Sequence, residues 1–355
     1  MIIKINYKPY TINYPEQSED KLKIAVDAMG GDNAPQAVID GVLSALKEIK
    51  AEIILVGDKE KINPLLKKTP RKIPIHQASE VVGMDESPSF AIRRKKDSSI
   101  VRAIDLLKNG EVDAVVTAGN TGAYVAAATV YLKLIPGIDR AALACPLPTS
   151  KGVCLLLDVG ATVDSSAENL FQFAIMGSIY AKKILEKENP SVGLINIGEE
   201  SSKGNQTAKK TYELLKSSNL NFIGNIEGRD IFSGKIDVAI CDGFVGNILL
   251  KSIEGFSETL EVLLKKEINK RIVYKLGAFF IKNAYKIFKD KLDYASYGGA
   301  PLLGTGGYCI KAHGSSSSKA IKNSIFVAEK EVKTGVNKEI QKYFESNHTV
   351  ERTQI

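Results

Sequence analysis

The stretch DVAICDGFVGN, residues 237–247, decides the fold, because in it a short apolar run passes directly into a glycine-rich turn. Apolar runs of this length that are rich in β-branched residues and end at turn residues are typical of buried parallel strands. Five other runs have the same form, at residues 23–26, 52–57, 114–119, 153–160 and 192–198. The sequence therefore predicts a sheet of mostly parallel strands.

Amphipathic stretches alternate with these strands. Apolar residues recur at helical spacing between residues 167 and 185 and again between residues 249 and 263. A run of serines precedes a stretch that predicts one long closing helix, from about residue 316 to 344, and serine oxygens commonly cap the free N–H groups at a helix start. Alternation of strands and helices predicts an α/β protein.

The chain shows no linker rich in proline, glycine and serine, and no repeat of 20 to 50 residues. We therefore expect one α/β domain over residues 21–345. Residues 1–20 are interpreted as an N-terminal extension and residues 346–355 as a C-terminal tail. Within the domain, residues 265–292 differ from their surroundings and predict a protruding helical arm.

Composition excludes several classes of protein. The four cysteines form no C-x-x-C pair and the three histidines have no ligand-like spacing, so we predict no metal site. No run of 18 apolar residues is present, and the first twenty residues are too polar for a secretory signal. We therefore expect a cytoplasmic protein with reduced cysteines.

The net charge of +7 is concentrated in the predicted arm, where residues 265–291 contain nine basic and two acidic side chains. Apolar residues of the arm include Leu276, Phe279 and Phe280, and its lysines include Lys282 and Lys286. This pattern is typical of a helix at an interface, and each lysine near an anionic surface contributes about 1 kcal/mol. We expect contact with an anionic membrane or an acidic carrier protein, and no nucleic-acid binding. A helical hairpin at a dimer interface is the alternative.

Glycine-rich clusters follow the ends of the predicted strands, and in a parallel sheet those ends lie together. Ligands of open α/β sheets bind there, so we expect these loops to form one pocket. The candidate residues for binding phosphate or another part of the substrate are Asp27, Gly30, Gly31, Asn120, Thr121, Gly122, Asp158, Gly160, Asn205, Asn225, Gly243, Gly246, Gly314 and Ser315. Any one cluster taken alone also fits a tight turn, because glycine tolerates positive φ.

An anion is favoured at TAGNTGAYVAAA, residues 117–128, because Asn120 and Thr121 open an alanine-rich helix whose N-terminus attracts negative charge. The loop lacks the G-K-[ST] sequence of a P-loop, and Gly30 and Gly31 do not complete G-x-G-x-x-G. We therefore expect no nucleotide cofactor.

Four residues are candidates for catalysis. Lys203 could neutralise phosphate or a developing oxyanion. Asp242 and Asn247 flank the turn in DGFVGN, and His313 in IKAHGSS has a side chain suited to acid/base chemistry. Three of them have an ordinary alternative: a surface position for Lys203, a helix cap for Asp242 and a structural role for His313.

Taken together and in order, these motifs resemble the acyl-ACP:phosphate acyltransferase family of bacterial phospholipid synthesis. The resemblance covers the chain from about Lys21 to the C-terminal helix. It rests on KIAVDAMGGDNAP, VGD, RRKKDSS, AGNTGA, LPT, LLDVGATVD, FAIMGSIYA, GLINIGEE with KGN, NFIGNIEGRD, DGFVGN, YGGAPLLG and IKAHGSS. Thr162 stands where the family usually has asparagine, Ala167 where proline is common, and the first twenty residues are an addition.

The resemblance implies a three-layer α/β/α sandwich with a mostly parallel sheet, akin to phosphotransacetylases and isocitrate dehydrogenase-like enzymes. It also implies a homodimer without a cofactor that associates with the inner face of the cell membrane. The implied reaction transfers a long-chain fatty acyl group from acyl-ACP to inorganic phosphate. The acyl phosphate then serves a glycerol-3-phosphate acyltransferase in phosphatidic acid synthesis.

Our mechanistic hypothesis is direct attack of phosphate, held by the Asn120 loop and Lys203, on the thioester. Asn247 is the expected oxyanion donor, while Asn225, Asp242 and His313 would orient phosphate or protonate the leaving thiolate. Two alternatives remain at this point. One is a phosphotransacetylase or decarboxylating dehydrogenase of the same architecture, and the other is a membrane-bound scaffold without activity.

Overall fold

A computed structural model describes residues 21–67, 69, 71–285 and 298–351. Short apolar runs form its strands, as β-branched residues favour. The strands in these ranges are β1 (Lys23–Asp27), β2 (Glu52–Gly57), β3 (Ile75–Gln77), β4 (Ala114–Thr117), β5 (Ala142–Leu143), β6 (Cys145–Thr149), β7 (Gly152–Leu157), β8 (Ser191–Ile195), β9 (Asn221–Ile226), β10 (Val238–Ile240), β11 (Ala300–Leu303) and β12 (Tyr308–Lys311).

These strands form two sheets, with the orders β3-β2-β1-β4-β12-β11-β5 and β6-β7-β10-β8-β9. Most neighbours pair in parallel, and the antiparallel pairs are β11 with β12, β5 with β11, and β6 with β7. The prediction of mostly parallel strands in an α/β fold is therefore confirmed. Only Ala144 separates β5 from β6, so one extended segment carries the chain from the first sheet to the second.

Helices follow most of the strands. They are α1 (Gln36–Ala45), α2 (Lys59–Leu66), α3 (Pro88–Arg94), α4 (Ser99–Lys108), α5 (Thr121–Ala127), α6 (Ala167–Lys183), α7 (Gln206–Lys216), α8 (Gly243–Asn269), α9 (Ile272–Phe280), α10 (Ser318–Thr334) and α11 (Val336–Glu351). A π-helical turn, Ala128–Leu132, continues α5, and a 3₁₀ helix, Gly228–Ser233, follows β9. The helical spacing found at residues 167–185 and 249–263 is confirmed by α6 and α8.

The prediction of one long closing helix is wrong, because the segment consists of α10 and α11. The break is at Gly335, whose φ of 65° lies in the left-handed region and ends α10. Glycine is the usual residue at this position, since it adopts positive φ without steric cost. The serine cap was correctly predicted, because Ser317 accepts a hydrogen bond from the N–H of Ala320.

Both sheets contribute to one cluster of buried apolar side chains. The cluster contains Ile24 of the first sheet, Leu155 of the second and Phe173 of α6, all of which are fully buried. Helix α6 also packs against α11, with Lys183 and Glu339 forming an ion pair of 3.6 Å at the surface. Apolar packing therefore joins the two sheets.

Helix α8 begins at the second sheet and then leaves the protein surface. It has 27 residues, which corresponds to about 40 Å. Nearly every residue from 255 to 285 is exposed, and α9 follows α8 after only two residues. The helical character predicted for the arm is confirmed up to residue 285, while residues 286–297 lie outside the described residues.

Candidate functional site

The loops predicted to form one pocket lie in two groups. The first loop group follows β1, β4 and β12 of the first sheet and comprises residues 27–35, 117–122 and 311–316. The second loop group follows β7, β8 and β10 of the second sheet and comprises residues 158–162, 196–205 and 241–247. Helix α8 starts in the second group and makes a side-chain contact with the first, which is described below.

Asp27 organises the first loop group from its buried position at the end of β1. One carboxylate oxygen accepts hydrogen bonds from the N–H groups of Met29 and Gly30, and the other accepts a bond of 2.6 Å from the Thr117 hydroxyl. Burial raises the pKa of Asp27, and these hydrogen bonds oppose that effect. Asp27 thus fixes the turn after β1 against the end of β4.

The glycines of this group allow its loops to approach one another. A Cβ atom on Gly30 would lie 2.6 Å from the Gly119 nitrogen, and one on Gly31 would lie 2.8 Å from the Gly314 oxygen. Gly31 also has a φ of 99°, which side chains rarely adopt. Close packing of backbone against backbone explains these glycines.

Asn120 caps α5, and its side chain is fully occupied. Its carbonyl oxygen accepts from the Ala123 N–H, while its amide nitrogen lies within 3.2 Å of the carbonyl oxygens of Gly83, Met84 and Glu86. Thr121 and Gly122 form the first turn of α5, and a Cβ atom on Gly122 would lie 2.4 Å from Pro88. An anion at this helix start would therefore meet backbone N–H groups rather than the Asn120 side chain.

Asp158 has the same organising role in the second loop group. Its carboxylate accepts hydrogen bonds of 2.6–3.1 Å from four backbone N–H groups, those of Leu143, Gly160, Ala161 and Thr162. Burial raises its pKa to about 6, and the four hydrogen bonds oppose that shift. The side chain shapes the loop after β7 and ties it to β5.

The first turn of α8 lies directly on this loop. A Cβ atom on Gly243 would lie 2.3 Å from the Thr162 oxygen, and one on Gly246 only 1.9 Å from the Asp158 oxygen. Asp242 caps the helix, since its carboxylate accepts from the Phe244 N–H and, with its second oxygen, from the Ser165 N–H at 2.7 Å. The geometry therefore supports the alternative interpretation of Asp242 as a helix cap.

Asn247 differs from Asp242 in its environment, because Asn247 is exposed at the start of α8. Gly160, with a φ of 125°, lies against it, and a Cβ atom there would be 3.5 Å from the Asn247 Cβ. An exposed amide beside a helix N-terminus is a suitable donor for a developing oxyanion.

Lys203 and Asn205 belong to the part of the second loop group that follows β8, and Asn225 of β9 contacts that part. Lys203 is exposed, and its carbonyl oxygen accepts from the Asn196 amide. Asn205 caps α7 by accepting from the Ala208 N–H. Asn225 is buried in β9, and its amide nitrogen donates to the Glu200 oxygen at 2.9 Å, which fixes this loop to the sheet.

His313 connects the two loop groups. Its Nε2 atom lies 2.8 Å from Lys251 Nζ of α8, and its Nδ1 atom lies 2.8 Å from the Ser315 hydroxyl. Lys251 also donates to Glu254 at 2.8 Å. Burial lowers the pKa of His313, as does the neighbouring Lys251.

Three residues in this region were not identified from the sequence: Lys251, Glu254 and Lys311. Lys251 and Glu254 follow Asn247 at helical spacing, and this spacing is the sequence feature that indicates a shared helix face. Lys311 lies within the quoted motif IKAHGSS, yet it is buried and its ammonium donates to the Ala312 oxygen. Burial lowers the pKa of Lys311 to about 7.

The thiol of Cys241 is buried next to Asp158, and burial raises its pKa well above the ordinary value. A buried thiol with a raised pKa is a poor nucleophile. In the described part of the chain, no group of three or more His, Cys, Asp or Glu side chains is placed to hold a metal ion. Nor do those residues include a helix both long and apolar enough to cross a membrane.

The apolar residues of the arm are exposed, with Phe280 at 82% and Phe279 at 72% exposure. Leu276 is exposed by 58%. Lys282 is exposed beyond the end of α9, whereas Lys286 lies outside the described residues. An exposed apolar surface of this kind marks an interaction site.

The fold places the chain among α/β proteins of the phosphotransacetylase type. A phosphotransacetylase from Streptococcus pyogenes aligns with a TM-score of 0.60 at 17% identity, covering 88% of this chain and 94% of that one. A branched-chain phosphotransacylase from Enterococcus faecalis aligns with a TM-score of 0.57 at 13% identity, covering 88% and 99%. At these identities the likeness concerns the fold alone.

Sequence similarity gives the family. Residues 22–339 match the family described as "Fatty acid synthesis protein". A phosphate acyltransferase from Desulfitobacterium hafniense is 51% identical over 324 residues, covering 90% of this chain and 97% of that protein. Another, from Geotalea daltonii, is 48% identical over 337 residues, covering 94% and 97%. The chain belongs to the phosphate acyltransferase family.

Proposed function

We propose that this protein is an acyltransferase that moves a long-chain fatty acyl group from acyl-ACP to inorganic phosphate. The observation that carries the proposal is the match, at about half identity over nine-tenths of the chain, to relatives named phosphate acyltransferase. The product, an acyl phosphate, then supplies a glycerol-3-phosphate acyltransferase for phosphatidic acid synthesis. No cofactor takes part in this reaction.

In the proposed mechanism a phosphate oxygen attacks the thioester carbonyl carbon. A tetrahedral oxyanion forms, and it collapses as the carbon–sulfur bond breaks and the thiolate leaves the acyl group. The exposed amide of Asn247 at the start of α8 is suited to stabilise that oxyanion. One such donor typically contributes about 3 kcal/mol.

Exposed Lys203 is proposed to neutralise the phosphate, and the backbone N–H groups of Thr121 and Gly122 provide a second anion site at the start of α5. Asp27, Asp158, Asp242, Asn120 and Asn225 are assigned a supporting role, because their side chains bond to the backbone of the loops. Residues 21–345 would then act as one catalytic domain, since both sheets contribute to one buried cluster.

We also propose that the arm meets an anionic membrane surface from the cytoplasmic side, and that the protein is a homodimer. The exposed apolar side chains of α9 support the first point, together with the excess of lysine in residues 265–291. Changing Leu276 and Phe280 to glutamate should abolish sedimentation with anionic vesicles. Undiminished binding of that variant would contradict the membrane assignment.

The activity is tested by incubating the protein with palmitoyl-ACP and phosphate and trapping acyl phosphate with hydroxylamine. Parallel reactions with acetyl-CoA, and with NAD, test the phosphotransacetylase and dehydrogenase alternatives. Lys203→Ala should abolish product formation without loss of fold. Lys209→Ala is the matched control, because Lys209 is also exposed in the same basic segment but lies on α7. Absence of product from the unmodified protein, or near-normal turnover by Lys203→Ala, would refute the respective assignment.

A further inference from the structure

One face of α8 runs from the second loop group towards the first. Asn247, Lys251 and Glu254 lie four and then three residues apart, so their side chains share that face. Asn247 lies against Gly160 of the second loop group, whereas Lys251 reaches His313 of the first. This face of α8 therefore spans the space between the loops of the two sheets.

Lys251 makes two contacts that fix its ammonium. Its Nζ atom lies 2.8 Å from Glu254 Oε2 and 2.8 Å from His313 Nε2. An ammonium has three N–H donors, so within the described residues one of them is left without a partner. The Lys251 side chain is 54% exposed, which leaves that donor accessible to a ligand from solvent.

His313 is held from both sides of its ring. Its Nε2 atom faces Lys251, and its Nδ1 atom lies 2.8 Å from the Ser315 hydroxyl and 3.3 Å from the Ser315 backbone nitrogen, whose N–H donates to it. The ring is therefore fixed between Ser315 and Lys251, which fits a positioning role for His313.

Glu254 holds the same ammonium from the other side. Its side chain is only 10% exposed, so it has little freedom to follow a mobile lysine. The carboxylate lies 3.7 Å from His313 Nε2, which places all three groups in one contact. A cation held between two fixed side chains is oriented before any ligand arrives.

We infer that Lys251 binds the inorganic phosphate substrate through its outward N–H, with Glu254 and His313 as positioning residues. This inference rests on the function proposed above and adds a substrate-binding residue to it. Side chains four residues apart on a helix have Cβ atoms about 6 Å apart. Phosphate on Lys251 would thus lie one turn from Asn247, where the carbonyl oxygen of the thioester is proposed to bind.

The test compares Lys251→Gln with Lys251→Arg and with Lys330→Gln. Lys330 is a matched control, because it lies on α10 and forms an exposed ion pair with Glu186. Lys251→Gln should raise the KM for phosphate roughly 10- to 100-fold, as expected for a lost hydrogen bond to a charged group, with a smaller effect on the KM for acyl-ACP. Lys251→Arg should recover much of the loss, and thermal melting should show all variants folded. An unchanged KM for phosphate in Lys251→Gln would overturn the inference.

Glu254→Gln separates positioning from binding. It should raise the KM for phosphate less than Lys251→Gln does, and the double variant should be little worse than Lys251→Gln alone. Additive losses in the double variant would mean that Glu254 acts independently of Lys251, which would overturn its positioning role.

The prosthetic group of the carrier also contains a phosphate. Binding of that phosphate must therefore be distinguished from binding of inorganic phosphate. Acyl-pantetheine, which lacks that phosphate, serves as an alternative donor. An increase in the KM for inorganic phosphate with both donors supports the inference, whereas a loss confined to the phosphorylated donor overturns it. Phosphorus NMR titration of the protein with inorganic phosphate alone gives a separate readout. Binding that depends on Lys251 in a protein that forms no acyl phosphate would refute the proposed function and leave the phosphate site intact.

Discussion

Asp158 and Lys251 both lie at the candidate site, yet their environments are opposite. Asp158 is buried, and its two oxygens accept four backbone N–H groups. Lys251 is half exposed and has a donor available for a ligand. Polar residues at the ends of parallel strands thus serve two purposes, and only some of them can reach a substrate.

The difference has a physical reason. Loops that cross the end of a buried strand contain N–H groups which lose water, and an unpaired buried N–H is costly. A buried carboxylate can satisfy several of them at once, as Asp27 and Asp158 do. The side chains of Asn247 and Lys203 stay exposed, so they remain available for chemistry.

The largest expected effect on stability comes from Asp158→Ala. The change leaves four N–H groups without their acceptor, and we expect the free energy of unfolding to fall by about 3–5 kcal/mol. Urea denaturation followed by circular dichroism measures this loss. Lys251→Ala is the half-exposed counterpart and should cost clearly less, because it leaves one carboxylate, that of Glu254, without its partner rather than four buried N–H groups. Equal losses in the two variants would remove the distinction between supporting and reactive residues.

Asn247→Ala should have the opposite profile, with a large effect on activity and a small one on stability. Loss of an oxyanion donor should lower kcat about 100- to 1,000-fold. Asp58→Ala is the control, because Asp58 caps α2 by accepting from the Glu60 N–H and lies outside both loop groups. Its loss should cost about 1 kcal/mol of stability and leave kcat almost unchanged. A kcat for Asn247→Ala within threefold of the unmodified enzyme would contradict the assignment.

A smaller effect is expected at Glu331, a buried carboxyl of α10 beside Tyr180 of α6. Burial raises the pKa of Glu331 to about 8 from its ordinary value of 4.5. Between these two pH values the folded protein holds a proton that the unfolded chain releases, so stability should decline as the pH rises. The expected slope is about 1 kcal/mol per pH unit.

Glu331→Gln mimics the protonated acid and should remove this decline. The variant and the unmodified protein should melt at similar temperatures at pH 5, and the variant should be the more stable at pH 8. Thermal melts at the two pH values provide the measurement. Parallel curves for both proteins would show that the carboxyl titrates normally in the folded state.

The sequence allowed the α/β class, the helical arm and the positions of β1, β2, β4, β7, β8 and β10 to be predicted, because each depends on local apolar periodicity. It also indicated that the residues around DGFVGN and IKAHGSS form a site. It could not separate Asp242, whose carboxylate is used to cap α8, from Asn247, which lies exposed one turn later. Both are polar residues in one motif, and only the folded structure shows that one is used as a helix cap while the other is exposed.

By itself, the sequence determined the central buried strands and the main amphipathic helices, where glycine is required, and where the basic charge is concentrated. These are properties of neighbouring residues and of the intrinsic geometry of the chain. Only the tertiary structure decided that the strands divide into two sheets and that Lys251 of α8 meets His313 after β12. Those two residues are 62 positions apart, and their contact exists because α8 extends from one sheet to the loops of the other.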